Sequence, residues 1–188
     1  MAEDLKISLC SISEFDPKEL EEIVNLFKPR SVKKNTILLH EGNVCKEFYY
    51  VVRGSIRTYF IDMNGHEKTR YIFFDNQLGT TLSSFISQNP SIEFIEALED
   101  TELLAISHRD FYQLNNKMKS WKIFYQKILE RAYMFQNKKI EALVTLTVQQ
   151  RYEQLLRDNP DFLQRFSNKV LASYLDMREE TLSRLKST

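Results

Sequence analysis

The sequence predicts an α+β fold: an N-terminal antiparallel β-roll, a long central helix and a C-terminal helix–turn–helix. Three observations favour it. All four glycines lie between residues 42 and 79, residues 120–146 contain no Gly or Pro, and residues 167–186 divide into two short helices. Clustered glycines indicate tight turns, whereas a long run without Gly or Pro favours helix. We therefore expect a β-roll domain over residues 1–116, a long helix over 117–143 and a helix–turn–helix domain over 144–188.

Short strands account for the first half of the chain. The segments EFYYVV (47–52), SIRTYFI (55–61) and EKTRYIFF (67–74) are rich in β-branched and aromatic residues. Asn64-Gly65 stands between the last two, and this dipeptide is a strong hairpin signal. The segments SIEFIEALED and TELLAISH after residue 90 supply two further strands. Many short strands with regularly spaced turns predict an antiparallel roll or barrel.

From about residue 120 the apolar spacing becomes helical. It follows steps of three, four and seven residues, nearly a heptad seam, and this pattern is typical of a long helix that pairs with a partner. The residues predicted to form a homodimer seam are Trp121, Tyr125, Ile128, Ala132 and Phe135. The alternative is an amphipathic helix that lies on its own β-roll, and both can hold because a long helix has two faces.

The last 42 residues predict three more helices. Thr147 is a plausible N-cap for a helix that ends before Pro160, and Ser167 caps the helix over 168–175. In the terminal pair the apolar inside would comprise Leu171, Leu175, Met177, Leu182 and Leu185. Ala172 supplies the small side chain that two steeply crossing helices need.

Polar side chains remain on the outer face of the last helix. They are Arg178, Glu180, Thr181, Ser183 and Arg184. Arginine can bond guanine with two hydrogen bonds, glutamate can accept from the cytosine amino group, and threonine can contact a thymine methyl group. Ser167 and Lys169, at the start of the preceding helix, are placed to bind a phosphate. A helical cap with a solvated charged face is the alternative interpretation.

Charge is unevenly distributed along the chain although the net charge is zero. Residues 1–107 carry 11 Lys and Arg against 17 Asp and Glu, whereas residues 108–188 carry 15 against 9. A positive second half suits contact with a polyanion such as double-stranded DNA. Two cysteines, and no apolar run long enough to cross a bilayer, predict a cytoplasmic protein without membrane contact. Scattered histidines and no CxxC pair predict no metal site, and no arrangement of residues indicates an enzyme.

Two segments resemble the Crp/Fnr family of bacterial transcription regulators. LLHEGNVCKEFYYVVRGSIRTYFIDMNGHE is similar to the front of its cyclic-nucleotide-binding β-roll, and NKVLASYLDMREETLSR is similar to its helix–turn–helix. The resemblance covers roughly residues 30–186. It implies a jelly-roll sensor of a small-molecule effector, a homodimer that binds double-stranded DNA, and base reading by Glu180, Ser183 and Arg184. It also leaves RNA polymerase as a candidate partner.

The effector site departs from the cAMP-binding members of that family. These carry a Gly-Glu pair that binds the ribose and an Arg-Ser or Arg-Thr pair whose arginine holds the cyclic phosphate. Here the first becomes Gly79-Thr80, the second falls on Ser91-Ile92, and Glu93 follows. Because a buried phosphate without a cation is costly, we expect no cAMP and no other known cofactor. A reshaped polar pocket for an unidentified effector would comprise Gly79, Thr80, Thr81, Ser83, Ser84 and Ser91.

Two further departures concern the C-terminal helices. Asp176 stands where the family often has glycine at the turn, and it either adopts the left-handed conformation or caps the last helix together with Glu179. Most members continue into a β-hairpin wing, whereas this sequence stops soon after Arg184. We therefore expect a short form without the wing, or a truncated chain. The rival hypothesis is a small-molecule-binding or protein-interaction module of the same fold that does not bind DNA.

Overall fold

Strands dominate the first half of the protein and helices the second. The structure, a computed structural model, describes residues 1–187. The strands are β1 (Lys28–Val32), β2 (Ile37–Leu39), β3 (Glu47–Arg53), β4 (Ser55–Ile61), β5 (Glu67–Phe74), β6 (Leu78–Gly79), β7 (Phe94–Ala97) and β8 (Thr101–Ser107). The helices are α1 (Ala2–Cys10), α2 (Pro17–Leu26), α3 (Leu82–Ser87), α4 (His108–Lys117), α5 (Lys119–Thr145), α6 (Val148–Asp158), α7 (Phe162–Arg165), α8 (Asn168–Leu175) and α9 (Glu179–Lys186).

The chain divides into two compact units. The first comprises Met1–Thr58 and Ile72–Arg131, and the second comprises Tyr59–Tyr71 and Ala132–Thr188. The tip of the β4–β5 hairpin therefore belongs to the same unit as the C-terminal helices, although its strands continue into the first unit. The predicted domain boundaries follow the sequence and therefore assign the hairpin tip to the β-roll domain.

The strands form two sheets, which confirms the predicted antiparallel β-roll. One sheet has the order β1-β8-β3-β6 and the other β2-β7-β4-β5. β8 pairs antiparallel with both β1 and β3, with Phe48 opposite Ile106 and Lys28 opposite Ala105. The five segments predicted as strands all occur, as β3, β4, β5, β7 and β8, because their β-branched and aromatic side chains fit the half-buried surface of a sheet. Strands β1, β2 and β6 were not predicted.

Glycines make two of the roll's turns possible. Gly65 has φ +80° in the hairpin loop, where its N–H donates to the carbonyl of Asp62 over 2.9 Å. Gly54 joins β3 to β4 with φ +101°, and a Cβ there would lie 2.6 Å from Oγ1 of Thr101. Both the left-handed backbone and the close approach exclude a side chain at position 54.

An aromatic cluster fills the core of the first unit. The ring centroid of Phe111 on α4 lies 5.2 Å from that of Phe48, 5.3 Å from that of Phe85 and 5.1 Å from that of Trp121. All four side chains are fully buried.

Helices α1 to α4 were not predicted. The sequence does contain a local signal for the start of α2. Asp16 and Glu19 form the capping box of this helix, and Pro17 stands in its first turn.

The predicted dimer seam is wrong for Trp121 and Tyr125. Both rings are buried in the first unit, where Tyr125 lies 5.0 Å from Phe111 between ring centroids. Farther along the same side of α5, Phe135 packs against Tyr71 at 4.2 Å within the second unit, and Ile128 and Ala132 are half-buried. The heptad-like spacing therefore marks the face of α5 that packs within its own chain, as the alternative interpretation held.

Candidate functional site

The terminal helices place the predicted apolar and polar residues on opposite sides. Leu171 and Leu182 are fully inaccessible, and Ala172 and Leu175 are buried with them. Met177 and Leu185 are half-buried. Of the predicted reading residues, Arg178, Glu180, Ser183 and Arg184 are exposed and Thr181 is half-buried. The sequence pattern therefore gives α9 an outward polar face, because its leucines hold it against the helices beneath.

The turn between α8 and α9 is built around Asp176. This residue has φ +52° and ψ +55°, the left-handed conformation expected of it, and it ends α8. The alternative, in which Asp176 caps α9, is wrong because Arg178 is the N-cap of α9 and makes no side-chain cap bond. Sequence reasoning missed Arg151 of α6, whose guanidinium donates to the carbonyls of Leu175 at 3.0 Å and Asp176 at 3.3 Å.

The two predicted phosphate ligands lie at the start of α8. Ser167 is the N-cap, and its Oγ accepts from the N–H of Val170. Lys169 is exposed, with 61% of its side chain accessible, and forms an ion pair with Glu67 of β5. The structure thus brings Ser167 and Lys169 together at one helix end, with the lysine's charge matched by a carboxylate of the hairpin.

The hairpin makes further contacts with α8 and α5 inside the second unit. The N–H of Thr69 donates to Oγ of Ser173 over 2.7 Å, and Lys68 forms an ion pair with Asp176. Nζ of Lys139 donates to the carbonyls of Thr69 at 2.8 Å and Arg70 at 2.9 Å.

Lys139 and Tyr174 share a desolvated position beside these carbonyls. Nζ of Lys139 lies 4.2 Å from the centroid of the Tyr174 ring. Burial lowers the pKa of Lys139 to about 8, although the carboxylate of Asp176 opposes the shift, and burial raises the pKa of Tyr174 to about 12. A cation against an aromatic face is attracted to the ring.

Most of the predicted effector-pocket hydroxyls are bonded to the protein itself. Oγ1 of Thr80 donates to the carbonyl of Glu47 over 2.8 Å, Oγ of Ser84 to that of Asn89 over 2.6 Å, and Oγ of Ser91 to that of Glu93 over 2.9 Å. The Ser84 and Ser91 hydroxyls thus hold local backbone turns, and the Thr80 hydroxyl ties its segment to β3.

The other three positions differ. Ser83 is exposed, which argues against its place in an enclosed pocket. Gly79 lies so close to the ring of Phe73 that a Cβ would come within 2.3 Å of it. Thr81 is buried and its Oγ1 has no hydrogen-bond partner, so it is the residue of the set most suited to a ligand.

The β-roll contains a buried arginine that was not predicted from the sequence. Arg57 of β4 is 4% exposed, and its Nε and Nη2 lie 2.8 and 2.6 Å from Oε2 of Glu96 on β7. Glu93, 2% exposed, adds a second carboxylate just before the same strand. The roll therefore does contain a cation, but the carboxylate of Glu96 pairs with it, and a charge-matched arginine attracts a phosphate weakly.

Apolar side chains are exposed on the outer side of α5. Val144 is 80% exposed, Tyr133 66% and Ile140 59%. Their spacing of seven and four residues places them on one stripe, opposite the side that carries Phe135.

Within residues 1–187 no group of His, Cys, Asp and Glu side chains is arranged to hold a metal ion. No described helix is both long enough and apolar enough to cross a membrane.

Comparison with known proteins agrees with this architecture. The family model of the cyclic nucleotide-binding domain matches residues 29–117. The cyclic AMP receptor protein of Thermus thermophilus is 24% identical over 102 residues, which are 54% of this chain. The chain matches 47%, about half, of the length of that relative.

Solved structures share the fold over most of the chain. A Crp/Fnr-family putative transcriptional regulator from Eubacterium rectale aligns with a TM-score of 0.73 and 19% identity, covering 91% of this chain and 82% of that one. The c-di-GMP-responsive global regulator CLP of Xanthomonas campestris aligns with a TM-score of 0.70 and 19% identity, covering 90% and 89%. The resemblance predicted from the sequence is confirmed, and at these identities the solved structures establish a common fold.

Proposed function

We propose that this chain, which carries a cyclic nucleotide-binding domain within the fold of the Crp/Fnr regulators, is a dimeric, cytoplasmic, DNA-binding transcription regulator. The observation that carries the proposal is the last helix: Leu182 is fully buried while Arg184 and Glu180 are exposed on its outer face. Such a helix can enter a major groove with its N-terminal residues toward the base edges. RNA polymerase remains a candidate partner to which no surface is assigned.

Selection from random duplex DNA tests base reading. We expect a two-fold-symmetric motif for the wild-type protein, since one short helix reads few base pairs and two half-sites give useful specificity. Arg184→Ala should weaken binding by about 1–3 kcal/mol and relax the preference at one position in each half-site. Arg157→Ala is the matched control, because it removes an exposed arginine of α6 outside the reading face. Failure to recover any motif at low salt contradicts the proposal.

The exposed stripe of α5 is the surface that we assign to the dimer. Tyr133, Ile140 and Val144 present apolar area to water on one face, and an antiparallel or parallel second copy of the helix would cover it. This assignment replaces the predicted seam, most of whose members are packed within their own chain.

Sedimentation tests the dimer. Val144→Glu should shift the protein toward monomer, because it places a charge in the packed apolar seam. Thr145→Glu adds the same charge to the neighbouring exposed position, about 100° around the helix, and should leave the dimer intact. Equal effects of the two substitutions, or a wild-type monomer, contradict the assignment.

The roll, we further propose, senses an effector other than cAMP. Arg57 is paired with Glu96, and Glu93 is a second buried carboxyl side chain just before β7, so the interior lacks the unmatched cation that a buried phosphate requires. Isothermal titration with cAMP should give no binding at physiological concentrations. A micromolar dissociation constant would refute this statement and leave DNA binding untouched.

One observation favours the second candidate, a module that does not bind DNA. Glu179 and Glu180 are adjacent and exposed at the start of α9, and carboxylates repel phosphates. Recovery of nothing in the DNA selection, together with an intact dimer, would support this candidate.

A further inference from the structure

The β4–β5 hairpin covers one face of α8. Lys169, Ser173 and Asp176 are four and three residues apart, so they lie on one side of the helix. Each contacts the hairpin: Lys169 pairs with Glu67, Oγ of Ser173 accepts from Thr69, and Asp176 pairs with Lys68.

We infer that this hairpin, Tyr59–Tyr71, is an autoinhibitory element that competes with a DNA phosphate for the start of α8. The inference rests on the proposed DNA binding. Glu67 is the competing group, because its carboxylate is paired with the ammonium group of Lys169, to which a DNA backbone phosphate would bind. A phosphate approaching Lys169 meets a carboxylate of the same sign and must displace it, since two anions cannot share one lysine without mutual repulsion.

The hairpin is anchored independently of Glu67. Nζ of Lys139 on α5 donates to two hairpin carbonyls, those of Thr69 and Arg70, and the ring of Tyr71 packs against Phe135. Because these contacts involve α5, loss of the Glu67 charge leaves the hairpin in place. The side chain of Glu67 is only 20% exposed, so the packing around β5 restricts where its carboxylate can move. Competition therefore ends either when the Glu67 charge is neutralised or when the hairpin lifts from α8.

A charge cycle on duplex DNA tests the inference. The probe is the duplex recovered by the selection, or a random-sequence duplex if none is recovered, and its affinity is measured by fluorescence anisotropy for wild type, Glu67→Gln, Lys169→Gln and the double variant. We expect Glu67→Gln to bind about three- to ten-fold more tightly and to increase the salt dependence by about one phosphate contact. In the Lys169→Gln background the same change should have no effect beyond that of net charge, since the lysine that it releases is absent.

Glu153→Gln is the control. It removes the same charge from an exposed position on α6 in the same unit, so it reports the effect of net charge alone. A gain in affinity confined to Glu67→Gln supports the inference, and so does binding by Glu67→Gln when wild type fails to bind. If wild type binds and Glu67→Gln binds no better than Glu153→Gln, the inference is overturned and the regulator proposal stands. If no variant binds any duplex at low salt, both fall.

Discussion

Replacement of Arg57 by methionine should destabilise the β-roll by about 2–4 kcal/mol. Arg57 is 4% exposed and Glu96 14%, with 2.6 Å between Nη2 and Oε2. The substitution leaves the Glu96 carboxylate buried without its cation, and breaking a buried pair by removing one partner costs about 3–5 kcal/mol. The residual exposure of Glu96 places the effect toward the lower part of that range. Arg57→Met/Glu96→Met should recover part of this loss, because it also removes the Glu96 carboxylate that the single substitution leaves without its cation.

Urea unfolding followed by tryptophan fluorescence measures this effect. Trp121 is the single tryptophan and is fully buried in the same unit, so its emission reports the unfolding of the roll. Arg53→Met, at an exposed position of β3, should change the free energy of unfolding by no more than about 0.5 kcal/mol. A value for Arg57→Met within about 1 kcal/mol of wild type, or a double variant no more stable than the single one, would refute the reasoning.

Three further predictions concern the second unit. Leu182→Ala should lower the free energy of unfolding by about 3 kcal/mol in urea titrations, since it empties a fully buried site, whereas exposed Ser183→Ala should change it little. Arg151→Met should cost about 2 kcal/mol in the same assay, because it removes charge-assisted bonds to the carbonyls of Leu175 and Leu146, and a neutral result would contradict this role. Burial lowers the pKa of Lys139 to about 8 from 10.5, so between these values the unfolded chain binds more protons than the folded one. Stability relative to Lys139→Met should therefore rise with pH across that window, by at most about 1.4 kcal/mol per pH unit, and a flat difference would exclude a depressed pKa.

Much of the fold was predictable because its signals are local. Asn64-Gly65 predicts the hairpin and Ser167 the start of α8, since each depends on backbone geometry within a few residues. The left-handed Asp176 could be anticipated in the same way. The N-terminal helices were not predicted, although the capping box at the start of α2 is a signal of the same local kind.

The sequence by itself determined the order of β-roll, long helix and terminal helix pair, and the inward leucines and outward polar residues of α9. Only the tertiary structure decided which side of α5 is buried, because the spacing that places Trp121 and Tyr125 on one face is the same for a partner helix and for the chain's own core. It alone also paired Arg57 with Glu96, 39 residues away, and Lys169 with Glu67, 102 residues away. Periodicity specifies the face of an element, whereas the group that meets that face depends on how distant segments pack.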